Sequence, residues 1–64
     1  MAMTVEIPLL LSVREAARIS GISRSELYRR IESGVLRARL VGGVMRIHRD
    51  DLLAMIESLP CVGD

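Results

Sequence analysis

Polar and apolar residues fall into blocks along this chain, and each block has its own period. The first opens at Ser12-Val13-Arg14-Glu15, the Ser-x-x-Glu form of a capping box. In such a box the Ser hydroxyl accepts from the amide three residues on, and the Glu reaches back to the cap. A helix therefore starts at about Val13. Val13, Ala16, Ala17 and Ser20 lie on one side of it, and Gly21 follows, where a left-handed residue ends a helix without steric penalty. Ser23-Arg24-Ser25-Glu26 repeats the box, with Ile22 and Leu27 spaced as a hydrophobic staple. The second helix runs over about 24–33. It turns Leu27 and Ile31 inward and stops at Gly34.

Only Gly21, Ile22 and Ser23 separate the two helices. So short a link forbids an antiparallel pair and forces a steep crossing, for which the small Ala16 and Ala17 leave room. An ordinary helical hairpin within an unrelated bundle is the alternative. Beyond Gly34 the period shifts towards two. Residues 35–41 and 44–47 are aliphatic and β-branched, and Gly42-Gly43 between them suits a two-residue hairpin turn. On the first of these strands Arg37 and Arg39 share one face, while Ala38 and Leu40 share the face towards the core. Residues 7–11 can add a strand beside the hairpin. Asp50 and Asp51 then begin a third helix, whose Leu52, Met55, Ile56 and Leu59 form a buried stripe ended by Pro60. Residues 1–6 are read as disordered or as a short arm, and 61–64 as a frayed tail. The parts add up to an α+β, mainly helical fold: a small winged helix-turn-helix, with a helix-turn-helix, a two-stranded β wing and a closing C-terminal helix. One domain over 1–64, with an ordered core of about 7–59, is expected.

Composition narrows the function. The chain has 64 residues, half of them hydrophobic, with one Tyr and no Phe or Trp. A single ring offers no row of stacking platforms for single-stranded nucleic acid. One Cys and one His cannot complete a zinc site or a disulfide, and Asp50 and Asp51, adjacent on a helix, point about 100° apart and make a poor acid-base pair. No nucleophile, base and orienting group can be assembled, so neither an enzyme nor a cofactor or metal site is expected. His48 reads as a capping or surface residue, Met45 and Met55 as core filler, and Cys61 as an exposed thiol. The longest apolar stretch, 7–11, is far too short for a membrane span, and a cytoplasmic protein is expected.

The net charge of +1 conceals a strong asymmetry. All nine basic residues are Arg and lie between Arg14 and Arg49, where only Glu15, Glu26 and Glu32 oppose them, while the flanks hold five acids and no base. Clustered guanidinium groups suit a phosphate backbone, because each contact releases counterions; a salt-bridged, solvated surface is the competing reading.

Certain residues also resemble a known family. Leu11-Ser12-Val13-Arg14-Glu15-Ala16-Ala17, Gly21-Ile22-Ser23, Leu27-Tyr28-Arg29, Ile31, Gly34-Val35-Leu36, Gly42-Gly43, Arg46-Ile47 and Asp51-Leu52 resemble the excisionase type of small MerR-like winged helix-turn-helix domain, over about residues 10–58. Members of that family include recombination directionality factors. These bind beside phage attachment sites, bend the DNA and steer an integrase towards excision. Other members resemble small prophage transcriptional regulators. The resemblance implies double-stranded DNA as partner, with a phage integrase and further copies of the chain side by side on the DNA. Without an effector domain, a coiled coil or catalytic residues in these 64 positions, the architectural role is preferred and the regulator is kept as the alternative. A protein-interaction module is a third possibility.

Helical geometry assigns the contacts. With Leu27 and Ile31 inward, Ser23, Arg24, Ser25, Tyr28 and Arg29 form the exposed part of the recognition helix. Arg24 and Arg29 can bridge the O6 and N7 atoms of guanine. Ser25 and the helix amides suit a phosphate, and Tyr28 either contacts DNA or caps the core. Arg30 can simply pair with Glu26. In the wing Arg46, supported by Arg39 and flanked by Arg37 and Arg49, can reach the minor groove or a phosphate, with Gly42 and Gly43 allowing close backbone approach. Arg14 and Arg18 can touch the backbone as the first helix crosses it. Asp50, Asp51 and Glu57 can meet an Arg of a neighbouring copy or of the integrase.

Overall fold

A computed structural model describes residues 7–63; the reading of residues 1–6 as an arm lies outside them. Among the described residues the chain forms β1 (Leu10–Leu11), α1 (Val13–Ser20), α2 (Arg24–Glu32), β2 (Arg39–Val41), β3 (Val44–His48) and α3 (Arg49–Glu57). The strands make one antiparallel sheet in the order β1-β3-β2, with Leu11 opposite Ile47 and Arg39 opposite Arg46. This is a small winged helix-turn-helix fold whose sheet gains its third strand from the segment before α1.

Both helix starts follow from the capping serines. Ser12 Oγ accepts from the Glu15 amide at 3.0 Å, and Ser23 Oγ accepts from the Glu26 amide at 3.2 Å. The reciprocal half of each box is not made. Glu15 turns forward to Arg18, and Glu26 to Arg29 and Arg30, making charge-assisted pairs one turn on instead. Gly21, at φ 79°, closes α1 by donating its amide to the Ala17 carbonyl. At the end of α2, Gly34 donates to Ile31 and Val35 donates to Arg30, the paired bonds of a Schellman motif.

That motif moves the start of the wing. Residues 35–38 were expected to open the first strand, but the Arg30 carbonyl accepts from both Val35 and Leu36, holding the segment as a turn. The turn drops Leu36 into the core, and β2 begins only at Arg39. Two expectations fall with it. Arg37 does not share a strand face with Arg39, and Leu40 lies 74% exposed rather than against the core, although Met45 opposite it packs there.

The core holds Leu11, Val13, Ala16, Leu27, Leu36, Ile47, Leu52 and Met55, with Ile22, Ile31, Met45, Ile56 and Leu59 packed against it. It contains no aromatic ring, and Ala16 is fully buried where α1 meets α2. Each of the large aliphatic side chains contributes about 1.5–3 kcal/mol on burial. His48 caps α3, its Nδ1 accepting from the Asp50 amide at 3.0 Å. The helix ends at Glu57, before Leu59 and Pro60. Arg49 fastens the opposite end of the chain: its Nη1 donates to the Ile7 carbonyl at 2.7 Å and its backbone amide to the Leu9 carbonyl at 2.8 Å. Arg49 is therefore a structural tie, not a wing contact.

Candidate nucleic-acid interface

The outward face of α2 is built by the burial of Leu27. Once that side chain is fixed inside, Ser23, Arg24, Ser25, Tyr28 and Arg29 are all exposed. Tyr28, 47% exposed, does not close the core. The Ser23 oxygen is engaged as a cap, yet among the described residues its hydroxyl donates no bond and remains able to donate to an anion. Ser25 is exposed beside it, in the first turn.

The cations of this face differ in state. Arg29 and Arg30 both pair with Glu26, each at 3.1 Å. Arg30 is the more enclosed of the two and fills the pairing role foreseen for it. Arg24 makes no ion pair among the described residues. It occupies the first position of α2, where the helix dipole disfavours positive charge, and Glu26, the acid of that first turn, is paired with Arg29 and Arg30. On α1, Arg18 is held by Glu15 while Arg14 is exposed and unpaired among the described residues. The Arg18 hydrogen bond lowers the Glu15 pKa from the ordinary carboxylate value, and raises that of Arg18 in turn.

The wing carries a second unrelieved charge. Gly42 and Gly43, at φ 59° and 83°, supply the two left-handed residues of a tight hairpin turn. The register that follows sets Arg39 directly opposite Arg46, and like charges in such a pair repel. Arg39 Nη2 is partly compensated, donating to Asp51 Oδ2 of α3 at 3.3 Å, whereas Arg46 has no acid partner among the described residues. Arg37 stands apart, exposed on the turn before β2 and bordering an open groove along α3 with Asp51 and Met55.

So α2 presents an exposed polar face led by an unpaired guanidinium, and a hairpin of two glycines and two facing arginines follows it. The match to the helix-turn-helix domain family spans residues 10–60. The chain belongs to that family. Helix-turn-helix domains bind double-stranded DNA in a sequence-specific way, and that is the function the fold carries here. No curated protein and no solved structure matches the chain. Among the described residues no helix is long and apolar enough to cross a membrane, and no group of His, Cys, Asp or Glu is placed to hold a metal ion.

Two features of this helix-turn-helix domain were missed by the reading of the sequence. Asp51 reads locally as a helix-start charge, and nothing near it announces a bond to Arg39, twelve positions away. The outermost wing residues, Leu40, Val41 and Val44, are exposed. The signal for them was the lack of any polar side chain across residues 40–44.

Proposed function

We propose that this chain is an architectural DNA-binding protein of the excisionase kind, which binds and bends attachment-site DNA in several adjacent copies and so directs integrase-mediated excision. The observation that carries the DNA-facing part is the pair of unrelieved positive sites: Arg24 at the positive end of α2, and Arg46 facing Arg39 across the wing. Each is electrostatically unfavourable in the protein alone, and each becomes favourable against a phosphate or a guanine edge. The resemblance of the Ala16-Ala17 helix, the Gly21-Ile22-Ser23 turn and the Gly42-Gly43 wing to excisionases supports the architectural part. In this reading Arg24 and Arg29 read base edges, with Arg29 leaving Glu26 to do so. Ser23, Ser25 and Tyr28 fix the helix on the backbone, Arg39 and Arg46 grip the groove edges at the wing, and Arg14 touches the adjacent strand. A single module of this size buries only about 600–1,000 Å², so neighbouring copies supply the affinity.

The test is a gel-shift and bending titration on attachment-site DNA from the host element. Cooperative, bent complexes that stimulate excision by the cognate integrase are expected. A single unbent complex that instead represses a neighbouring promoter assigns the chain to the transcriptional-regulator alternative. Arg24→Ala is expected to cost about 1–3 kcal/mol in binding and to relax base preference at one position.

A further inference from the structure

We infer that the tip of the wing, Leu40 with Val41 and Val44, is an apolar wedge that enters the DNA minor groove and forces it open; this rests on the DNA-binding reading above. Residues 40–44 contain no charged or hydrogen-bonding side chain. Leu40 is 74% exposed on one face of the hairpin, and Val41 and Val44, paired across the turn, are each 49% exposed on the other. Leu40 stays exposed even though Met45, its partner on the same face, packs against the core, and such apolar side chains cannot read bases by hydrogen bonds.

The cations stand behind the tip in fixed register. Val41 pairs with Val44, Leu40 with Met45, and Arg39 with Arg46. At about 3.4 Å per residue the arginine rung lies about 7 Å behind the tip rung. The minor groove is roughly 7.5 Å deep and roughly 6 Å wide. With the tip on the groove floor, the guanidinium groups therefore reach the phosphate rims. The width does not match: two strands about 4.8 Å apart, with side chains on both faces, exceed it. The groove must widen, and apolar widening of this kind bends a duplex. A second copy of the chain is the competing occupant of the tip. Joining two tips would bring the Arg39 and Arg46 pairs of both copies together, whereas the polyanion relieves them.

The experiment uses a duplex selected by the unmodified protein from a randomised pool, with affinity read by anisotropy and bending by end-to-end energy transfer. Leu40→Ser is expected to bind about tenfold more weakly, as loss of one buried leucine contact implies, and to bend the duplex less. Its salt dependence should match that of the unmodified protein, since no phosphate contact is lost. Leu40→Met should restore both affinity and bend, and Leu40→Ser should melt as the unmodified protein does. A serine variant that binds and bends normally, or that binds weakly with an unchanged bend, overturns the wedge. So does an unmodified protein that dimerises without DNA and is made monomeric by Leu40→Ser. If the unmodified protein selects no duplex, the DNA reading itself fails and takes the wedge with it.

Discussion

Glu15 and Glu26 occupy the same position in their helices, three residues after a capping serine, and both send their carboxylates forward to arginine rather than back to the cap. For Glu15 the consequence is measurable. The Arg18 hydrogen bond, outweighing partial desolvation and aided by the charges of Arg18 and Arg14, holds its carboxyl below the usual range. A folded-state pKa below the unfolded one gives a contribution that is full above the ordinary carboxylate range and is lost as the pH falls through the folded value. A side-chain NMR titration should therefore place the Glu15 midpoint below that of a model glutamate, and Arg18→Ala should move it back up. In the interior Leu27 is fully buried. Leu27→Ala should cost about 2–5 kcal/mol by chemical denaturation, a large share of what so small a domain holds.

At the level of elements, the helices were legible and the wing only partly so. Ser12, Gly21, Ser23 and Gly34 act within one turn of their own positions, so α1 and α2 can be bounded from the sequence to within a residue. Replacing either capping serine by Ala should lower stability by about 1 kcal/mol in thermal or chemical unfolding. The start of β2 was not legible. It depends on the Arg30 carbonyl holding two amides and on Leu36 entering a core assembled from other elements. A strand-like run of residues was thereby converted into a turn. The wing is also braced from outside by the Arg39 to Asp51 bond. An exposed pair of this kind contributes less than about 1 kcal/mol. Asp51→Asn should accordingly leave global stability almost unchanged while speeding amide hydrogen exchange in β2 relative to α1.

Across the whole molecule the decisive quantity is the distribution of charge. The near-neutral total hides a surplus of six positive charges over positions 14–49. The folded chain spends much of that surplus internally: Arg18, Arg29, Arg30 and Arg39 pair with acids, and Arg49 ties down the segment before α1. Arg14, Arg24, Arg37 and Arg46 remain without an ion pair among the described residues. DNA affinity should therefore fall with salt at a slope set by a few phosphate contacts per protomer rather than nine. Arg46→Ala should reduce that slope by about one while weakening all sequences alike, whereas Arg24→Ala should change sequence preference.

The sequence by itself determined where the first two helices begin and end, that a glycine turn joins two strands, and that a basic stretch lies between acidic flanks. Each of these depends on neighbours within about four positions, or on composition alone. Tertiary structure decided which arginines are engaged inside the protein, that Leu36 is core and Leu40 is not, and that of the segment 7–11 only Leu10 and Leu11 pair as a strand. Those outcomes turn on contacts between residues far apart in the chain, where space and partner charge, not local preference, set the energy.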